Sequence, residues 1–269
     1  MSWRLQAAGA LLLALDLGAQ QPPTVTITFL ANEGVKVAAG DRAVLIDGLF
    51  RYYGDDFALP HDSTQRVLEA ASTPFHDVDV VLVTHRHGDH FHPAAVAAHM
   101  RANARAVLVT SPQVIDSLHA GASSVSRFAG RVHARAIARG ERRREVVNGV
   151  PIELLGLPHG GGRRNAGVQH ISYIVELGGR RVLHLGDVDT SEEHFRRMRL
   201  DTARVDVALV PAWMITDDDG RRTLERWIRP RQVVAIHAPA KNAAGTARAV
   251  RQAMPRAYTF VRSLDSLRW

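Results

Sequence analysis

The chain of 269 residues contains no cysteine, which excludes disulfides, thiolate nucleophiles and thiolate metal ligands. Any transition metal it binds must therefore be held by histidine and carboxylate. Lysine is almost as scarce: of 34 basic residues only Lys36 and Lys241 are lysines, so arginine carries the net charge of +7. The clusters Arg142-Arg143-Arg144, Arg163-Arg164 and Arg196-Arg197 are scattered and have no aromatics between them. They read as solvated faces or loops rather than a nucleic-acid track, although a cluster beside a site would attract an anionic substrate. Beyond the N-terminal stretch no apolar run is long enough for a membrane helix.

That N-terminal stretch has one cation, Arg4, then an uncharged run from Leu5 to Leu15 and small residues at Gly18-Ala19. The pattern is that of a secretory signal peptide over residues 1–20, which predicts export to the periplasm or the medium. With hydrophobic residues at 46% and charged ones at 23%, the remainder has the composition of a globular protein. No repeat or linker divides residues 21–269, which read as one domain. The sequence does not specify an oligomeric state.

Short β-rich runs at 24–30, 35–39 and 42–48, separated by Gly34 and Gly40-Asp41, predict an antiparallel meander. Residues 49–77 read as loop. Strands then alternate with helices: 78–84, 106–110, 150–158, 171–177, 180–187, 205–211, 231–237 and 257–263 are strand-like. Pro93 and Ser111 mark helix starts, and Thr190 with Glu193 forms a capping box. Gly178-Gly179 signals a hairpin. Strands in both halves with helices interspersed imply an α/β (α+β) fold of two face-packed sheets with helices outside.

Against that background one segment stands out. "THRHGDHFHP", residues 84–93, closes an apolar strand and holds His85, His87, Asp89 and His90. On an extended segment residues two apart point the same way, so His85 and His87 can meet one ion. After the turn, Asp89 and His90 can face a second, and two ions about 3.5 to 4 Å apart are suited to hydrolysis. Four residues do not complete two sites. His159, Asp187 and His237 each end a predicted strand, where open α/β sheets gather their sites. His170 competes with His159, but it begins a strand expected to be paired. His184 is three residues from Asp187 and is a candidate to support the ligands. His92, His99, His119, His133 and His194 read as surface or core histidines. Phe50, Tyr52, Tyr53, Phe57 and Trp213 are candidates to wall a pocket.

The ordered set His85-x-His87-x-Asp89-His90, His159, Asp187 and His237 resembles the metallo-β-lactamase superfamily over nearly the whole chain. Its "HLGD" and "AIH" contexts are most similar to the compact metal-dependent hydrolases related to ascorbate-phosphate lactonase and N-acylphosphatidylethanolamine phospholipase D. The resemblance implies a four-layer αββα sandwich with its site along one edge. It implies that His85, His87 and His159 hold a first zinc ion, Asp89, His90 and His237 a second, and that Asp187 bridges them, with Mn2+ or Fe2+ as alternatives. It also implies that Asp47, closing the strand at 42–48, orients the first histidine pair. The commonest β-lactamases of the superfamily use a cysteine that this chain lacks, and its nucleases often insert a large domain where only 49 residues separate Asp187 from His237. The expected activity is hydrolysis of an ester, lactone or phosphodiester in a small-molecule substrate by a metal-bound hydroxide, with Asp89 steering the proton. The alternatives are a nuclease-type phosphodiesterase, or a non-catalytic sensor or partner-binding protein that retains the metal site.

Overall fold

Alternating side chains sort the residues of each strand between two faces. In β3 below, Val44 and Ile46 point between the sheets while Leu45 faces the helices outside. The computed structural model describes residues 23–269; the signal peptide expected over residues 1–20 lies outside them. Strands β1 (Thr26–Ala31), β2 (Gly34–Ala39), β3 (Arg42–Ile46), β4 (Val78–Leu82), β5 (Val107–Thr110) and β6 (Val132–Ala134) belong to the first sheet. Strands β7 (Arg142–Val147), β8 (Val150–Leu155), β9 (Ser172–Leu177), β10 (Arg180–His184), β11 (Val207–Pro211), β12 (Gln232–Ile236) and β13 (Tyr258–Thr259) form the second, and β14 (Ser266–Arg268) returns to the first beside β1. The expected meander is present as antiparallel β1–β2–β3, and β3 to β6 run parallel. In the second sheet β7 to β10 are antiparallel, with Gly178-Gly179 turning the β9–β10 hairpin at positive φ, and β10 to β13 are parallel.

Helices α1 (Asp62–Glu69), α2 (Pro93–Ala102) and α3 (Pro112–Gly121) cover the outer face of the first sheet, packing Leu68, Met100 and Leu118 near Leu45, Val81 and Leu108. Helices α4 (Glu192–Met198), α5 (Ala212–Thr216), α6 (Asp218–Thr223) and α7 (Ala243–Ala253) follow strands of the second sheet. Phe195, Met214 and Val250 from this group pack with Leu183, Ala208 and Val210. The layers are helix, sheet, sheet, helix: the expected αββα sandwich. No helix among the described residues is long and apolar enough to cross a membrane.

Several local expectations are corrected. Of the two readings of Arg142-Arg143-Arg144, solvated face or loop, the loop fails: the run opens β7 as a partly exposed edge face, where Arg142 pairs with Glu153 at 2.7 Å and Arg144 with Glu176, so cross-strand charge replaces apolar alternation. Helix α1 escapes notice because it buries only Thr64 and Leu68. The Thr190–Glu193 capping box does not form. The helix begins after Ser191, whose N–H is taken by Asp189 Oδ1 at 2.9 Å. The strand expected over 257–263 ends at Thr259, and the chain crosses to the first sheet.

One polar contact spans the interlayer core. Tyr173 on β9 is fully buried, and its hydroxyl donates across to Val83 O, just past β4 of the first sheet, at 2.9 Å. Tyr173→Phe is expected to cost about 1–2 kcal/mol, the loss of one buried hydrogen bond. Urea unfolding should show a lower midpoint at unchanged slope; an unshifted midpoint contradicts the assignment.

Candidate metal centre

All seven residues singled out from the sequence meet at one end of the sandwich. His85 to His90 form a turn just past β4, with the N–H groups of His90 and Phe91 donating to His87 O at 3.1 and 3.0 Å. His92 N donates to Leu49 O, and Pro93 then opens α2. From the second sheet come His159 in the β8–β9 connection, Asp187 after β10, and His237 after β12 at φ 55°.

Two clusters result. In the first, His85 Nε2 lies 3.0 Å from His87 Nδ1 and 3.2 Å from His159 Nε2, and His159 Nε2 lies 3.2 Å from His87 Nδ1. Asp187 Oδ2 stands 3.9 and 3.6 Å from the Nε2 atoms of His85 and His159. In the second, Asp89 Oδ2 is 3.3 Å from His90 Nε2 and 3.2 Å from His237 Nε2, and Asp187 Oδ1 is 3.3 Å from both nitrogens. Bonds of about 2.1 Å to a tetrahedral ion set donors about 3.4 Å apart, so both sets have the spacing of donors around a shared divalent cation. His90 Nε2 and Asp187 Oδ1 are buried without hydrogen-bond partners, as atoms reserved for an ion would be. The residues present fit the metals that the sequence implied.

Hydrogen bonds on the far ring nitrogens select the tautomers. His85 Nδ1 donates to Thr84 Oγ1 at 3.0 Å, and that hydroxyl donates to Asp47 Oδ2 at 2.6 Å. His159 Nδ1 donates to Gly160 O at 2.7 Å. Each leaves its Nε2 lone pair facing the cluster. The role expected for Asp47 is corrected in one respect: its carboxylate accepts directly from His90 Nδ1, at 2.9 Å, and reaches the first pair only through Thr84. Parallel pairing of β3 with β4 sets Asp47 beside Thr84, whose N–H it also accepts at 2.8 Å.

Asn32 was not anticipated. At φ 48° in the β1–β2 turn, it donates from Nδ2 to Asp89 Oδ2 at 3.2 Å and accepts from His237 N through its carbonyl at 2.9 Å. The only trace in sequence is an asparagine, a residue tolerant of left-handed backbone, two places before Gly34. His170 lies behind the first cluster, with its ring 5.5 Å from that of His85 and its Nδ1 donating to Leu157 O, and contributes no donor to either set. His184 lies deeper, beside Glu33 and Asp47. His99 is a core histidine held by Leu68 O at 2.6 Å; His92, His119, His133 and His194 are outside both clusters.

Of the proposed walls, Phe57 and Trp213 place rings 5.8 and 4.9 Å from His237, and Tyr53 packs on Gly88 with its ring tilted 47° to that of Phe57 at 5.5 Å. Phe50 is buried away from solvent and Tyr52 is mostly exposed, bonded to Asp55. A cavity of about 290 Å³ adjoins His237; Trp213, Thr216, Asn242 and Thr246 are among its lining, and no Asp, Glu, Lys or Arg is.

The electrostatics differ between clusters. Burial, then the neighbouring His90 and His170, hold the His85 pKa well below the ordinary histidine range, and burial with His159 lowers His87. Burial also opposes charge on His90, but Asp187 and Asp89 outweigh it and hold the pKa of His90 well above the ordinary value. Burial likewise opposes ionisation of Asp89 and Asp187, and interaction with His90 and His237 more than reverses this, leaving both below the usual carboxylate range.

A family model described as the beta-lactamase superfamily domain matches residues 42–261. The chain belongs to the metallo-β-lactamase superfamily. No curated protein matches it. Among solved structures, this superfamily member is similar to one described as a possible metal-dependent hydrolase from Veillonella parvula, with 15% identity and a TM-score of 0.65 over 91% of this chain and 99% of the other. It is similar to Igni18, a metallo hydrolase from Ignicoccus hospitalis, with 17% identity and a TM-score of 0.59 over 91% and 98%. It is also similar to CmlA, a diiron β-hydroxylase from Streptomyces venezuelae, with 15% identity and a TM-score of 0.56 over 92% of this chain and 55% of that one. At these identities the likeness is one of fold.

Loading the second cluster must displace the proton held by His90, whereas His85 and His87 in the first have their pKa values lowered and offer neutral imidazoles. Affinity at the second cluster should therefore fall more steeply as pH is lowered through neutrality. Competition against a chromophoric chelator should find two exchangeable ions per chain at about pH 8 and preferential loss of one at about pH 6. Equal weakening of both contradicts this ordering.

Proposed function

We propose that this superfamily member is a two-ion, zinc-dependent hydrolase acting on a carboxylic ester, lactone or phosphodiester. The observation that carries the reading is one carboxylate divided between two donor sets: Asp187 Oδ2 joins His85, His87 and His159, while Oδ1 joins Asp89, His90 and His237. When bound, the ions lower the pKa of water toward neutrality and polarise the electrophile. Imidazole-rich donors favour zinc; the carboxylates also suit manganese or iron, and CmlA is a diiron protein of the same fold.

The chain's own residues position the reaction. Asn32 Nδ2 donates to Asp89 Oδ2 and fixes the carboxylate at the edge of the second donor set, where Asp89 would take up the proton released by the attacking water and pass it to the leaving-group oxygen. Thr84 and Asp47 keep the imidazoles of His85 and His90 oriented. Tyr53, Phe57 and Trp213 screen the His237 side from water, and the adjoining uncharged cavity favours a small substrate with a neutral, largely apolar group there. Against a nucleic-acid substrate, Arg135, Arg142, Arg144 and Arg181 are matched by Glu145, Glu153 and Glu176, which leaves less free positive charge. Export remains part of the proposal, and N-terminal sequencing of the secreted or periplasmic form tests it.

Zinc-loaded protein is expected to turn over a chromogenic carboxylic ester, a lactone or a bis-phosphodiester, with loss on chelation and recovery on zinc addition. No turnover across that panel by protein holding two ions would instead favour a non-catalytic metal-binding protein. Asp89→Asn should lower kcat by about 10²-fold or more at matched metal content. Full turnover with both ions retained removes the role given to Asp89.

A further inference from the structure

Behind the metal centre lies a second polar group, of which the proposed hydrolysis uses only Asp47, to orient imidazoles. Glu33, in the β1–β2 turn, is fully buried, and neither of its carboxylate oxygens has a hydrogen-bond partner. His184, the last residue of β10, stands beside it: its Nε2 donates to the Glu33 backbone carbonyl at 2.9 Å, which leaves Nδ1, buried and unpartnered, as the free donor atom. Asp47 completes the group: Glu33, Asp47 and His184 each offer one donor atom, all within 4.8 Å of one another. Asp47 Oδ2 already accepts from Thr84 and His90, whereas Oδ1 accepts only the Thr84 N–H and keeps a free lone pair. Among the described residues no lysine or arginine pairs with Glu33 or Asp47.

Two buried carboxylates beside an imidazole, with three polar atoms unpartnered, are costly unless a cation lies among them. Without an ion, burial holds the Glu33 carboxyl well above the ordinary carboxylate range, so it keeps a proton that has no acceptor within hydrogen-bond reach. We propose that Glu33, Asp47 and His184 form a third, structural site for a divalent cation, closed between the sheets. The mixed oxygen and nitrogen donors suit zinc or manganese. Glu33 and Asp47 come from the first sheet and His184 from the second, so the ion would fasten the two layers just behind His90 and Asp187.

Metal analysis of the full chain, purified and equilibrated with zinc alone, tests this. Wild type is expected to hold three ions per chain, of which a chelator removes two and leaves the enclosed one. Glu33→Gln and His184→Gln should hold two and retain none after chelation. Folding of each variant is checked by circular dichroism, and either variant suffices. If the two-ion reading fails while this one holds, wild type retains a single chelator-resistant ion that is lost in Glu33→Gln. Absence of any chelator-resistant ion from wild type, or its undiminished retention in a folded variant, overturns the proposal.

Discussion

Five imidazoles and two carboxylates meet at one end of a β-sandwich, with lone-pair-bearing atoms as close as 3.0 Å. Such crowding is unfavourable unless cations are shared among the donors, because each acceptor gives up its hydration and faces another acceptor instead. The metal-free electrostatics express the same demand. A proton is drawn onto His90 by Asp89 and Asp187, a partial substitute for the charge of an ion. Asp187 is the hinge of the arrangement, since its two oxygens belong to different donor sets and link them.

The sandwich supplies this geometry through strand ends. Strands β3 and β4 run parallel and deliver Asp47 and the histidine turn at the same edge, while parallel β10, β11 and β12 deliver Asp187 and His237 opposite. Close approach of the layers is fixed by an apolar interior that includes Ile46, Leu82, Val175 and Leu209, with the Tyr173 hydroxyl as a cross-layer tie. Burial does more than stabilise the fold. It strips water from the donors, keeps His85 and His87 neutral, and strengthens every charge interaction at the centre.

Much of this was legible in the residues because metal chemistry constrains both residue type and spacing. His85, His87, Asp89 and His90 are local, and the three remote partners end apolar runs that are easily recognised. The αββα layering followed from strand alternation and from resemblance. What was not legible depends on tertiary pairing. Asn32 acts through a turn that becomes significant only when His237 arrives beside it, and the Asp47 contact with His90 depends on the packing of β3 against β4. The arginines of β7 look like a solvated run until Glu153 and Glu176 are seen across the sheet. Glu33 carries no motif at all; its significance lies in being buried without a partner.

The central claim is that Asp187 joins two cations held by the other six side chains. Anomalous X-ray diffraction at the zinc edge from a crystal of the loaded protein tests it most directly. Apart from the enclosed ion proposed beside Glu33, the account predicts a pair of peaks about 3.5–4 Å apart, one on each side of the Asp187 carboxylate. No peak, or one peak coordinated without Asp187, in protein saturated with zinc would contradict it.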